Sequence, residues 1–249
     1  MEVTLNGAPI YFEIPILGGI PITATLVVTW VIMVLLTLFC VFLTRDLKVK
    51  DVSKRQAVAE FLVKTAENFV NNNMGPAFAR YVPFVAALFC LSLVSSLSSL
   101  LGCFSPTADL STEIAWAVLV FVLITATKIK TNGVLGYAKG FTQPIPVLTP
   151  FNIISELATP VSMAFRHFGN IVSGYVISTL VYAALLAANR ALFGLIPGAV
   201  GTVLGAIPFL DVGVPAVLSL YFDWFSSFMQ AFIFCMLTTM YIANAAEAD

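Results

Sequence analysis

Charge is what this chain has least of. Asp, Glu, Lys and Arg together make up 10% of its 249 residues, against 59% hydrophobic, and the formal net charge is -1. A soluble domain carries roughly a quarter charged residues, so no soluble surface can be assembled from this composition. With a mean hydropathy of +0.98 the chain reads as a resident of lipid. Net charge then says nothing about acidic substrates, and no nucleic-acid partner is expected; what matters is where the few charges lie. Histidine occurs once, at His167, and Cys40, Cys90, Cys103 and Cys235 are scattered through apolar segments without metal-ligand spacing. These cysteines read as buried small hydrophobes, with Cys103, near the outer surface, the one exposed candidate. No nucleophile-and-base pair, phosphate loop, metal cluster or internal repeat is visible, so neither catalysis by the chain itself nor a cofactor is expected.

Lys and Arg are absent before position 45, whereas Arg45, Lys48, Lys50, Lys54 and Arg55 follow at once. Between the two regions lies the first apolar run, 22–43. It is long enough to cross a hydrocarbon core, which takes about 20 residues, and too poor in basic flanks for a signal peptide. The positive-inside rule therefore puts segment 1–21 outside and the basic loop in the cytoplasm. Lys128, Lys130 and Lys139 form a second basic cluster, and the span pair 82–103 and 110–130 fits the even number of crossings between two clusters on one side.

Two longer apolar patterns follow, 151–188 interrupted by Pro160 and 214–245, with a Gly/Pro-rich turn from Phe193 to Gly213 between them. At 1.5 Å per residue they reach about 45–57 Å, beyond a core of about 30 Å, so they are expected to tilt steeply as a long hairpin. The acidic C-terminus then lies inside after five crossings. Segment 53–73 differs: Val58, Phe61, Leu62, Thr65 and Phe69 share one face, with Glu60, Lys64, Glu67 and Asn68 opposite. That pattern predicts an amphipathic helix in the plane of the interface. The expected fold is thus an all-α integral membrane protein forming one membrane domain over 1–249.

Arg166 stands in the middle of such a span with no acid near it in sequence. A guanidinium does not deprotonate, and at the centre of a membrane helix it costs about 2.5–3.5 kcal/mol even on an insertion scale. Snorkelling or pairing with a neighbouring helix is the structural explanation; a functional cation is the other. Three motifs accompany it: Arg166-His167-Phe168-Gly169-Asn170, Pro106-Thr107-Ala108-Asp109-Leu110, and Gln230-Ala231-Phe232-Ile233-Phe234 with Tyr241 downstream. In order and spacing they resemble subunit a, the ion-channel stator subunit of rotary ATP synthases, over about the last two-thirds of the chain.

The resemblance implies a multi-pass protein of the bacterial plasma membrane, packed against a rotating ring of c subunits and held with peripheral-stalk b subunits in the ATP synthase complex. It also implies two offset half-channels, with the choice between H+ and Na+ resting mainly on the surroundings of the ring carboxylate. The physics suits that role. A ring carboxylate must be neutral to cross lipid and charged to exchange its ion, so a permanent cation at the crossing point lowers its pKa and blocks leakage. Lysine would serve less well, since it can deprotonate when desolvated and lacks the planar fork.

The remaining candidates are placed by helix periodicity. Asn170, one turn from Arg166, either orients the guanidinium, bonds at the ring interface, or makes a contact between helices of this subunit. Asp223, Gln230 and Tyr241 fall near whole turns of the last helix and form one stripe with Ser226 and Ser227 close by. Gln230 is expected to face Arg166, and Asp223 to relay ions in the outer channel. Many relatives carry a carboxylate nine residues after the arginine, where this chain has Tyr175, about 180° around the helix from Arg166; Asp223 is inferred to replace that acid. Ser98-Ser99-Leu100-Leu101-Gly102 departs from an asparagine common before the paired leucines. Glu156, ten residues before Arg166 toward the cytoplasm, is either part of the inner half-channel or a solvated interfacial acid. Asp109 is expected to cap the following helix, and His167, about 100° from Arg166, to be a packed neighbour. A secondary transporter would also explain an intramembrane Arg and Asp, but it should show inverted repeats and matching broken helices. A purely structural subunit would have no use for the arginine.

Overall fold

The computed structural model describes residues 8–15, 20–45, 47–195 and 220–247. Five of the described helices are long and apolar enough to cross a membrane, and the protein is an all-α membrane bundle. One feature was not anticipated from the sequence. Strands β1 (Ile10–Ile14) and β2 (Ile20–Thr23) pair antiparallel, with Phe12 opposite Ile22 and Ile14 opposite Ile20. Their β-branched and aromatic residues favour extended backbone. A two-stranded ribbon is marginal alone; here β2 runs straight into the first span, and the Ala24 amide donates to the Pro9 carbonyl at 2.8 Å.

Helix α1 (Ala24–Thr44) rises about 31 Å, one hydrocarbon thickness. Trp30, Val34, Leu38 and Phe42, four apart, are all more than half exposed, which leaves an apolar stripe for lipid or a partner helix. Three of its hydroxyls are satisfied inside the helix: Thr29, Thr37 and Thr44 donate to the carbonyls of Thr25, Met33 and Cys40. Helix α2 (Lys54–Met74) starts at Ser53, whose hydroxyl accepts from the Gln56 amide, and stops at Gly75, whose φ of 88° suits only glycine. The face packed on the bundle is Gln56, Ala59, Val70 and Met74, while Val58, Phe61 and Leu62 stay exposed. The face that the sequence pattern groups as apolar is thus largely turned away from the protein. Ala59, Val70, Met74 and the satisfied amide of Gln56, bonded to both Lys48 backbone groups and to Glu60, do the packing.

Helix α3 (Val82–Leu97) is entered by a 3-10 turn at Pro76–Tyr81 and left by another at Ser98–Leu101. Buried Ser92, Ser95 and Ser96 let neighbouring backbones approach closely. Ser98 and Ser99 donate to the carbonyls of Ser95 and Ser96, so this departure from the usual asparagine is engaged in its own turn. Helix α4 (Leu110–Gly140) buries Glu113, Ala117, Val120, Ile124 and Thr127, a spacing of four and three that lines one face. It extends beyond the expected 110–130 but breaks at Gly133, where φ is 72° and ψ 168°. A residue with a Cβ rarely adopts that conformation.

Helix α5 (Thr149–Gly194) has 46 residues, about 69 Å of helix, and carries Pro160 inside it. It packs on α4 and on α6 (Ser226–Ala246). A π-helical turn at Leu220–Phe225 leads into α6; the expected start at 214 and most of the Gly/Pro-rich turn lie outside the described residues. The core joins α2, α3, α4, α5 and α6 through Val70, Val85, Val120, Ala164, Phe234 and Ile242. Cys235 alone of the cysteines is buried; Cys40, Cys90 and Cys103 are exposed on the chain's own surface. The expectation of buried thiols therefore fails for Cys40 and Cys90, because spans in a bundle this thin turn much of their apolar surface outward.

Candidate ion-translocation site

Three buried positions set the rotation of α5 against the bundle: Met163, Ala164 and His167. Successive helical residues are about 100° apart, so the intervening Phe165 and Arg166 are turned out. Both are exposed, as is Val161 one turn earlier. Arg166 makes no hydrogen bond or ion pair among the described residues. A permanent cation set in an apolar outer surface cannot rest against hydrocarbon at small cost. The position calls for a polar or acidic partner.

One turn on, Asn170 points its amide across to α6. Its Nδ2 donates to Ser226 Oγ at 3.0 Å and to Gln230 Oε1 at 3.2 Å. Asn170 thus makes a contact between helices within this chain while its side chain stays exposed. Gln230 is buried and is brought to the level of Arg166, but through Asn170 and not through the guanidinium. Tyr241, about three turns further along α6, is half-buried against the core. Asp223 falls in the π-helical turn. The interval from Asp223 to Gln230 is therefore not regular α-helix, and the Asp223 side chain, with its place on the expected stripe, lies outside the described part of the structure. Tyr175 is exposed, half a revolution around α5 from Arg166.

Glu156 is neither free nor fully solvated. Lys128 Nζ reaches both of its carboxylate oxygens, at 2.8 and 2.7 Å, and both side chains are partly buried. This pair opens into a cavity of about 250 Å³ lined by Lys128, Asn132, Tyr137, Asn152, Glu156 and Asn244 among others. The cavity sits where α4, α5 and the end of α6 meet and is polar enough to hold water. Asp109 is the N-cap of α4: it accepts from the Ser111 amide and hydroxyl and from Thr25 Oγ1 of α1 at 2.8 Å.

Sequence reasoning missed one partner. His167 and Glu113 of α4 are both fully buried, with Nδ1 and Oε2 3.1 Å apart. Each alone looks ordinary, a histidine beside an arginine and an acid in the first turn of a helix. The available signal was that His167 is the single histidine of the chain and Glu113 the single acid of the span that follows Asp109. No group of three or more His, Cys, Asp or Glu side chains arranged to hold a metal ion occurs among the described residues.

A family model described as ATP synthase A chain matches residues 26–243. Among similar proteins, ATP synthase subunit a of Moorella thermoacetica is 36% identical over 233 residues, covering 93% of this chain and 94% of the relative. The subunit a of Desulforamulus reducens is 34% identical, covering 90% and 80% of the two chains. A sodium ion specific ATP synthase subunit a from Propionigenium modestum is 30% identical over 243 residues, covering 91% of this chain and 75% of the relative.

Proposed function

The chain belongs to the ATP synthase A chain family, and from that premise we propose that it is the ion-translocating stator subunit of a rotary ATP synthase, with Arg166 as its electrostatic gate. The observation that carries this reading is the exposure of Arg166 on an apolar surface without a partner among the described residues. A ring of c subunits supplies what is missing: a carboxylate that is ionised beside the guanidinium and neutral elsewhere in lipid. Because the guanidinium keeps its proton, it separates two ion paths and prevents direct passage between them.

On the outer side, Asp223 is the acid that exchanges ions with the ring. On the inner side, the cavity at Glu156 and Lys128 is the aqueous approach. The bonds from Asn170 to Ser226 and Gln230 hold α5 and α6 together at the crossing point, so that the surface presented to a moving ring stays fixed. The chain performs no bond-making step; it is a membrane subunit whose partners, the c ring, peripheral-stalk b subunits and soluble ATPase, complete the machine. In a bacterial plasma membrane the basic loop after α1 faces the cytoplasm and α2 lies along that interface.

Crosslinking tests the arrangement. Arg166→Cys and Asn170→Cys should each form disulfides with cysteines placed near the ring carboxylate, and Tyr175→Cys, on the opposite face of α5, should not. Efficient crosslinking from position 175 with silence at 166 and 170 would turn the arginine away from the ring and overturn the proposal.

A further inference from the structure

Behind Arg166 lies an ionisable pair that the gating role leaves unused. Glu113, in the first turn of α4, and His167 of α5 face one another at 3.1 Å, each fully buried. They meet without the alignment of a hydrogen bond, and neither the two carboxylate oxygens nor the two ring nitrogens have another partner among the described residues. The imidazole is wedged between Trp116 of α4 and Phe234 of α6, with ring centroids 6.4 and 5.8 Å away. All four polar atoms are buried.

A buried ionisable pair adds little net stability, because desolvation offsets the attraction; its best-attested use is to fix register. Register is what this position controls. His167 directly follows Arg166, and if the imidazole is held inward the guanidinium must point out. The other charged groups nearby are engaged or turned away: Asp109 is taken up by Thr25 and Ser111, and Arg166 is on the exposed side.

We propose that Glu113 is a positioning residue which, through His167, fixes the rotation of α5 and so holds Arg166 turned toward the ring. This rests on the gating role of Arg166 argued above.

The test is the number of ions pumped per ATP hydrolysed by the assembled complex in inverted membrane vesicles, compared at measured complex content. Glu113→Ala and His167→Ala should lower that ratio roughly five-fold or more, because an arginine no longer held at the crossing point lets the ring slip. A general loss of stability would lower the amount of complex and leave the ratio alone. Glu113→Gln, of the same length and able to keep the contact, should stay coupled. Wild-type coupling in Glu113→Ala overturns the proposal. So does uncoupling by Glu113→Gln equal to that of Glu113→Ala, which would mean that the carboxylate itself carries a proton. Should Glu113→Ala not assemble, Glu113→Thr, polar but too short to reach His167, is measured instead; failure of both to assemble overturns a role confined to orientation. Arg166→Ala run in parallel separates the two ideas. Normal pumping by that variant defeats the gate, whereas an inactive Arg166→Ala beside a coupled Glu113→Ala defeats only the positioning role.

Discussion

Asn170 shows how one side chain sets the energetics of a site. Its amide satisfies Gln230 Oε1 inside the bundle, and a buried acceptor left unpaired costs about 1–3 kcal/mol. Asn170→Leu should therefore lower the thermal midpoint of the solubilised complex, and Gln230→Leu should lower it less, because exposed Asn170 keeps Ser226 as a partner. The double variant should recover much of the loss, since replacing both partners by apolar groups is nearly neutral. Midpoints that fall by the sum of the two singles would mean that the pair does not act as a unit. At this scale the sequence was partly legible. Lone polar residues in apolar runs pointed to Arg166, Asn170 and Gln230, whereas the partner each one chooses is a matter of tertiary packing. The pairing of Glu113 with His167 joins two spans, and no local pattern links them. The side chain of Asp223 lies outside the described part of the structure, so its outer-channel role rests on the resemblance.

Elements were legible where length and hydropathy decide them, and less so where a single backbone angle does. An isolated glycine within a helical pattern usually costs only stability, and nothing marks Gly133 as the break in α4 until φ is seen to be 72°. Gly133→Ala should destabilise the complex by about 1–3 kcal/mol, the strain of a Cβ in that region. Thermal inactivation checks this, and an unchanged midpoint would show that α4 runs straight through the position. The π-helical turn at Leu220–Phe225 escaped for a similar reason: periodicity arguments assume 3.6 residues per turn throughout. In α2 the amphipathic pattern was real but its polarity was ambiguous, because in a membrane protein an apolar face can serve lipid as well as the core. The hairpin of β1 and β2 is too short for alternation to stand out beside the apolar run that follows.

Across the whole molecule, the small number of charges made the architecture readable: the first basic cluster follows one span, and the second follows two more. The same scarcity concentrates the function. Five apolar helices form a thin bundle with much of its surface turned outward, and midway along the long helix α5 the exposed guanidinium of Arg166 interrupts that surface. The central claim is that this charge, and not the bundle around it, couples ion flow to rotation. Ion-driven ATP synthesis in membranes carrying Arg166→Ala, at wild-type content of assembled complex, tests it most directly. Loss of the charge also removes an insertion cost, so the complex is expected to assemble and synthesis to be abolished; synthesis at the wild-type rate would contradict the claim.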